Sequence, residues 1–549
     1  ADGTYSVRHE LPGGWSHTGP GDGLRSVAAT GGGIVTGVDF LAVNNPPAID
    51  LGAVDFLEIE ALDLTGGDSW YSLQTTRQGY LTLEALYEGL PGDVEMKLYD
   101  EGLSELATSA VSDGGERIDW TVGAGQTYYL SLTGGAADVD LRLANLVHWD
   151  GASVFVYGTA ADDRLDFAAA AWHQVTINGV HYEFDASVVN SVRFDGGAGR
   201  DTAVLLGSSG DDTAVLHPSW AALTGPGYRA VVTDTADVIV MGQGGTDVAK
   251  LYDSAGDDTF VATTAYARLF GDGFYNQAFA FRYVHAFATG GGTDVAKLYD
   301  SAGDDTFVAT PRYGSLYGDG FYNRAVSFRY VHAFATGGGT DVAKLYDSAG
   351  DDTFVATPRY GSLYGDGFYN RAVSFRYVHA FATGGGTDVA KLYDSAGDDT
   401  FVATPRYGSL YGDGFYNRAV SFRYVHAFAT GGGTDVAKLY DSAGNDTFVA
   451  TPRYGSLYGD GFYNRAVSFQ DVHAFATGGG TDVAKLYDSA GDDHLEASGR
   501  RASLFTQGLS SWAYDFARVR AVASQHGSDT KHVASVDYLL ETEGPWIDI

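Results

Sequence analysis

Two ladders of aspartates are the residues whose type and spacing could do chemistry. The first falls at Asp247, Asp294, Asp341, Asp388, Asp435 and Asp482, a constant 47 residues apart, inside a recurring Gly-Gly-Thr-Asp-Val-Ala-Lys-Leu-Tyr-Asp-Ser-Ala-Gly. The second falls at Asp258, Asp305, Asp352, Asp399, Asp446 and Asp493, closing the Gly-Asp-Asp signature. Fading copies flank both, at Asp201 and Asp529 and at Asp163 and Asp212. Carboxylates beside glycine turns that expose carbonyls are the hard oxygen donors calcium takes, roughly six to eight at a time. If identical residues stack, two carboxylates ~5 Å apart repel by about 3 kcal/mol at an effective dielectric of ~20, which a cation would relieve. The structural alternative is that Asp294, Asp300 and Asp305 accept backbone N–H bonds in Asx-turns, or pair with Lys297, Arg312, Arg324 and Arg329. Both readings stand at this point.

A second set shares the interval: His285, His332, His379, His426 and His473. Stacked imidazoles could hold a transition metal, but a repeated ladder residue is expected to pack or hydrogen-bond. Tyr299, Tyr317, Phe321, Tyr322 and their copies predict aromatic ladders, which stabilise such folds and, when exposed, bind sugars. Catalysis finds little support, because an active site needs a constellation that occurs once and these copies are nearly identical. Ser442-Ala443-Gly444-Asn445 differs from its siblings only by Asp→Asn, which reads as drift.

These residues must be positioned by β structure. The chain has 549 residues with 75 glycines, 36 tyrosines and 30 phenylalanines against 2 methionines, a profile of turns and half-buried pleated surfaces. A fixed period with degenerate ends is the mark of a solenoid with capping repeats. Within one repeat, Val295–Asp300, Thr306–Thr310, Tyr313–Tyr317, Ala325–Phe328 and Tyr330–Thr336 read as strands, with Ala296, Leu298, Phe307 and Ala309 inward, a turn at Gly318-Asp319-Gly320 and a corner at Arg329. One large coil per repeat is expected, with two smaller coils as the variant. Asp294, Asp341 and Asp388 should then lie in a row at about 4.8 Å, or at about 10 Å for two coils.

Composition bounds the partners. The formal charge is −36, with −16 on residues 1–145, −8 on 146–246, −7 on 247–481 and −5 on 482–549. Nucleic acid and anionic membranes want basic patches, so neither is an expected partner. No run approaches the ~18 apolar residues of a membrane helix. The absence of cysteine removes disulfides and thiolate sites. An acidic, cysteine-free, asparagine-poor chain fits a bacterial extracellular protein, and Ala1-Asp2-Gly3-Thr4-Tyr5 is not a signal peptide, so any such segment is expected to be already removed or to lie upstream.

Residues 51–147 alternate in Trp70–Thr75, Leu81–Leu86, Val94–Tyr99, Glu105–Ala110, Ile118–Val122 and Tyr128–Leu132, a β-sandwich pattern. With Asp68-Ser69-Trp70-Tyr71, Gly92-Asp93-Val94-Glu95-Met96-Lys97-Leu98-Tyr99-Asp100 and Ala124-Gly125-Gln126-Thr127-Tyr128-Tyr129, residues 53–147 resemble a bacterial pre-peptidase C-terminal domain. That resemblance implies a non-catalytic secreted accessory that in some members binds calcium or polysaccharide. Residues 3–44, from Gly3-Thr4-Tyr5-Ser6-Val7 to Gly37-Val38-Asp39-Phe40, resemble the C-terminal half of a B-type repeat domain of bacterial surface adhesins, so the chain is expected to begin inside a domain. Some of those domains carry lysine–asparagine isopeptide bonds, but Lys97 is the first lysine here. The repeats resemble those of repetitive surface proteins of planctomycete-like bacteria and, in their Gly-x-Asp cores, the calcium-binding nonapeptide repeats of secreted toxins. The two aspartates of a repeat are 11 apart rather than 9.

The expectation is an all-β chain, small β-sandwich modules followed by a parallel β-solenoid of 47-residue repeats: a partial Ig-like or B-type sandwich at 1–45, a linker at 46–52, a pre-peptidase C-terminal-like sandwich at 53–147, the solenoid at 148–493 and a divergent last coil and cap at 494–549. The expected function is a non-enzymatic subunit of an extracellular or cell-surface fibre, its partner another copy joined head to tail. The rivals are an adhesin or carbohydrate-binding stalk with surface polysaccharide as partner, and a polysaccharide-active β-helix enzyme. Residues 1–44 are too few strands to close a sandwich, so they await cover from the sandwich at 51–147, from a neighbouring subunit or from upstream chain.

Overall fold

The computed structural model describes residues 2–12, 15–20, 22–31, 34–44, 47–88, 94–112, 115–524 and 526–549. Gly92-Asp93 of the sandwich motif and Asn45-Pro46 before the sandwich lie outside them. The described elements are strands, and no helix among them is long and apolar enough to cross a membrane. The chain forms two compact units, one of residues 1–208 and 219–237, the other of 209–218 and 238–549.

In the first unit, alternating apolar residues build a sandwich. One sheet orders Glu105–Thr108, Val94–Tyr99, Thr127–Gly134, Ser69–Thr75 and Ile49–Val54, and the other joins Phe56–Leu62, Gly79–Leu86, Gly115–Val122 and Val139–Asp150. Leu73, Leu83, Met96, Leu98, Leu130 and Leu141 fill the space between them. Strand Val139–Asp150 pairs with the sandwich through its first half and with Ser153–Tyr157 through its second, and Ser153–Tyr157 then pairs in parallel with Ser191–Asp195. The sandwich sheet thereby runs into the first coil without a break.

Ahead of the sandwich, Gly3–Arg8 pairs with Leu24–Ala29 and Trp15–Gly19 with Leu41–Asn44, as two two-stranded ribbons. These ribbons bury little. Tyr5 is 47% exposed, Trp15 45% and Leu41 62%.

The second unit is a parallel β-solenoid of two walls. In the repeat beginning at Asp294, Val295–Tyr299 lies on one wall. The chain then crosses to an antiparallel meander of Thr306–Ala309, Tyr313–Gly318 and Phe321–Val326 on the other wall, and returns through Tyr330–Phe334. The inward residues mix small and large: Ala296, Leu298, Phe307, Ala309, Leu316 and Ala333 are fully buried. The walls close tightly on them, since a Cβ on Gly314 would stand 2.5 Å from Val331 Cγ1 of the opposite wall. Asn323 ties the walls as well, donating from Nδ2 to the Thr263 carbonyl at 2.9 Å.

The expected coil count needs correction. Each repeat makes three wall segments, and because three is odd, successive repeats start on opposite walls: Val248–Tyr252 and Val342–Tyr346 on one, Val295–Tyr299 and Val389–Tyr393 on the other. A repeat is therefore one and a half coils, neither one nor two. The physical reason is strand balance. If every meander fell on one wall, that wall would gain strands faster than its partner and the stack would bend; alternation gives both walls five strands per two repeats.

The last coil ends the stack with polar groups. Lys531 and Thr542 occupy the inward registers of Leu495 and Ala521, and the Lys531 ammonium bonds Thr542 Oγ1 at 3.4 Å and pairs with Asp548 at 3.5 Å. A charged interior position cannot receive another apolar coil, as a capping repeat requires.

Candidate functional site

The aspartates meet at the corners where the chain passes from wall to wall. Corner 253–258, Asp-Ser-Ala-Gly-Asp-Asp, is followed along the same edge by the glycine-rich corner 288–294, because their flanking strands Val248–Tyr252 and Tyr283–Phe287 are paired. The lower corner's carboxylates hold the upper corner's amides. Asp253 accepts from Thr289 and Gly290 N–H at 2.8–2.9 Å, and Asp257 accepts from Thr293 N–H at 2.7 Å. In return Asp294 Oδ1 accepts the Asp258 N–H at 2.9 Å, while Asp258 Oδ2 accepts both the N–H and the hydroxyl of Ser254 at 2.8 Å. Charged acceptors on N–H donors contribute about 1.5–3 kcal/mol each, which is why these acids tolerate burial.

The two aspartate ladders are thus joined, but not as expected. Asp294 meets Asp258, Asp341 meets Asp305, Asp388 meets Asp352, Asp435 meets Asp399 and Asp482 meets Asp446, each 36 residues back. Asp247 likewise takes Asp212, and Asp493 donates to Asp529. The expected row of Asp294, Asp341 and Asp388 does not form, since alternation puts Asp341 on the opposite edge from its two siblings. The histidine column dissolves for the same reason: His285 lies between Lys250 and Arg324 on one wall, His332 between Lys297 and Arg371 on the other. The alternative pairing of Asp294, Asp300 and Asp305 with lysine or arginine is absent among the described residues; backbone N–H groups take that place.

A third aspartate completes each cluster: Asp253, Asp300, Asp347, Asp394 and Asp441. The resulting triads, such as Asp300–Asp305–Asp341, bring buried carboxylate oxygens within 4.8 Å of one another, a grouping that could hold a metal ion. The signal was present in every Leu-Tyr-Asp-Ser, but nothing in spacing alone places residue 300 beside residue 341. Burial, together with the neighbouring Asp300, Asp305 and Asp304 charges, pushes Asp341 up to about 6 against the pull of the Asp305 N–H. Asp294, Asp388 and Asp435 stand at about 6 likewise. Asn445 keeps the corner bond of its siblings, its Oδ1 accepting Thr481 N–H at 2.7 Å, and so removes one charge from beside Asp482 without removing an acceptor.

At least one oxygen is left over in each of these five triads, and a second, Asp435 Oδ2, in that of Asp394, Asp399 and Asp435. Oδ1 of Asp258, Asp305, Asp352, Asp399 and Asp446 is buried with no hydrogen-bond partner. It rests against a backbone that only glycine can supply, for a Cβ on Gly318 would lie 1.8 Å from Asp305 Oδ1.

Among the clefts of the first unit, an unrepeated polar one of about 360 Å³ is lined by Tyr80, Arg117, Asp119, His181, Tyr182 and Glu183. Its groups are largely engaged with each other. Arg117 grips Asp119 at 2.8 and 3.0 Å and Glu84 at 2.8 Å, and the Tyr182 hydroxyl donates to Thr82 Oγ1 at 2.9 Å, with burial raising its pKa.

The fold and its corners define a tandem-repeat β-solenoid protein whose repeats are clasped by aspartates. No family model matches the chain, and no curated protein does. Among solved structures it is similar to the pre-peptidase C-terminal domain of a collagenase from Bacillus anthracis, at 18% identity over 18% of this chain and 98% of that one, TM-score 0.15. It is also similar to the catalytic unit of a thermostable GH87 α-1,3-glucanase from Streptomyces thermodiastaticus, at 8% identity over 90% of this chain and 96% of that one, TM-score 0.13. A GH87 α-1,3-glucanase catalytic domain in complex with nigerose gives 10% identity over 89% and 90%, TM-score 0.14. Likenesses at such TM-scores say nothing of this chain's chemistry.

Proposed function

We propose that this chain is a non-enzymatic structural subunit of an extracellular bacterial fibre or filament. The observation that carries the reading is the repeat itself: a unit of one and a half coils that adds strands equally to both walls, so copies lengthen the stack without changing its cross-section. Near-identical repeats serve reach; they hold no constellation that occurs once. Assembly runs head to tail, the ribbons of residues 2–44 meeting the C-terminal cap of another copy. Exposed apolar side chains at Tyr5, Trp15 and Leu41, and at Leu539 and Ile547 in the cap, favour this, and such a heterologous contact does not close. Negative-stain microscopy tests it: the whole chain forms uniform fibres, and a variant lacking residues 1–44 stays folded but dispersed. Dispersed whole chain, or fibres from the truncated one, refutes the mechanism.

Calcium at the corner triads is the second reading, supported by the buried, unpartnered Oδ1 in five of them and by carboxyl groups raised to about 6. Chelation then lowers the melting temperature, because a ligand bound only to the folded state stabilises it by mass action.

A further inference from the structure

The outer faces of the solenoid carry chemistry that the corners do not use. On one wall Lys250, His285 and Arg324 stand side by side on neighbouring strands; on the other Lys297, His332 and Arg371 do the same. Strand alternation points all six outward. Past Arg371 the row continues through Ser362 and Val355 to Lys391, where the next trio begins. A trio thus recurs every five strands along each wall, about 24 Å at ~4.8 Å per strand.

Burial sorts the charges. The repeat from 294 to 340 has five aspartates and four cations by sequence, but Asp294 is buried in one corner and Asp300 and Asp305 in the next. What reaches solvent is Asp304 and Asp319 against Lys297, Arg312, Arg329 and the half-buried Arg324. The ion pairs among the described residues lie elsewhere, at Arg77, Lys97, Arg117, Arg142, Arg164, His181, Arg200 and in residues 496–548. The trio arginines stand 3.8–4.2 Å over tyrosine rings, and Arg324, Arg371, Arg418 and Arg465 each hold a buried Nε with no acceptor. An acidic chain therefore presents faces of cations that have no carboxylate partner among the described residues.

We propose that these two faces bind an acidic polysaccharide, its carboxylates on the Lys–His–Arg trios and its length spanning several of them. Three chemical features select this occupant. The rings flanking the trios stack on one another, Tyr299 on Phe334 at 4.9 Å and Tyr364 on Tyr369 at 5.6 Å, so their faces are occupied and a neutral sugar finds no platform. Two permanent cations per ~24 Å, three once the histidine is protonated, fall far short of a DNA duplex, with its charge every ~1.7 Å. The repeats of a second copy offer the same cationic faces, which repel one another. Linear repetition makes the contact multivalent, as a polymer requires.

His332 gives the contact a pH dependence. Burial, then Arg371 and Lys297, lower its pKa below the ordinary histidine range, and Tyr369 and Phe334 are the rings packed against it. It is neutral near pH 7 and becomes the third cation as pH falls.

The test is retention of the whole chain on immobilised polygalacturonate, in chelator so that no calcium bridges the two. Retention is expected, stronger at about pH 5.5 than at about pH 7.5 and lost in about 0.5 M salt; dextran retains nothing. Changing the exposed Lys297→Gln, Lys344→Gln, Lys391→Gln and Lys438→Gln together weakens binding about tenfold or more and leaves the melting temperature unchanged. Retention unaffected by those four changes, or equal retention on dextran, overturns the proposal. So does tighter binding to duplex DNA at the same salt, or lysine-dependent self-association without retention.

Discussion

The backbone N–H of Asp305 donates to Oδ1 of Asp341 at 2.8 Å, across 36 residues of sequence. Every repeat makes this bond, and the flanking copies extend it to Asp163 with Asp201 and to Asp493 with Asp529. The second aspartate of one repeat is thereby clasped by the first aspartate of the next, so the clasp exists only between repeats.

Removing the acceptor and removing the charge should separate. Asp341→Ala leaves the buried Asp305 N–H without a partner and costs about 1–3 kcal/mol. Asp341→Asn keeps an acceptor, as Asn445 does at its own corner, and in chelator is neutral or stabilising because it removes a charge that burial disfavours. Denaturant unfolding of both variants measures the difference. Equal losses would mean the negative charge, not the acceptor, is what the corner needs.

Stability should rise in acid, opposite to the usual loss when carboxylates are protonated. A carboxyl raised from 3.8 to about 6 on folding, as at Asp294, Asp341, Asp388 and Asp435, binds its proton more tightly folded than unfolded. That stability is full below 3.8 and is lost as pH rises through 6. In chelator the melting temperature should increase as pH falls from 7 to 5. With calcium bound to the triads the slope flattens, since the cation does at neutral pH what the proton does in acid. A melting temperature that falls over this interval in chelator contradicts the assignment.

Gly318→Ala should be poorly tolerated for a reason unrelated to turn geometry. Its Cβ would stand 1.8 Å from Asp305 Oδ1 and 3.0 Å from a Phe321 ring carbon, both buried. The corner has to open, at a cost of about 1–3 kcal/mol or more. Gly320, two residues on, has open space around its Cβ position but a φ of +79°, so Gly320→Ala loses only the smaller, local cost of the left-handed backbone. Hydrogen exchange should show faster opening around residues 300–341 in the Gly318 variant and near-normal protection there in the Gly320 variant.

Deleting residues 341–387, one whole repeat, should leave a folded solenoid with everything downstream moved to the opposite wall. Asp388 then takes the place of Asp341, an identical residue in an identical corner. Asp257 and Asp492, both exposed and on opposite edges, come to lie on the same edge. The stack shortens by about 12 Å, two and a half strands at ~4.8 Å. Spectroscopic labels at those two positions report the exchange, and deletion of residues 341–434, two repeats, restores the opposite-edge arrangement.

The sequence by itself determined the repeat, its period, the all-β class and the inward residues. Ala296, Leu298, Phe307 and Ala309 are legible because a strand's side chains alternate, so burial can be read two residues at a time. The sandwich strands from Ser69–Thr75 to Thr127–Gly134 were legible for the same reason, whereas Ile49–Val54, which begins inside the expected linker at 46–52, Phe56–Leu62 and Val139–Asp150 were not. Local chemistry was legible too: aspartates beside glycine turns do accept backbone amides. What the period could not reveal is parity. Whether Asp341 lies above Asp294 or across from it depends on whether a repeat crosses between the walls an odd or an even number of times, and that turned on three consecutive strands, 306–326, folding back on one another instead of each starting a new wall. Hairpin and crossover share the same alternation and the same glycine turns, so only the packing of whole walls separates them. Parity then set the rest. It paired Asp305 with Asp341 instead of with its own copies, brought Asp300 into the triad, broke up the histidine column, and buried three acids of each repeat while leaving its cations outside. The sign of the surface was thus decided by tertiary structure against the sign of the composition, because a carboxylate can be buried where backbone N–H groups converge on it, and a lysine on a flat outer strand has no such partners.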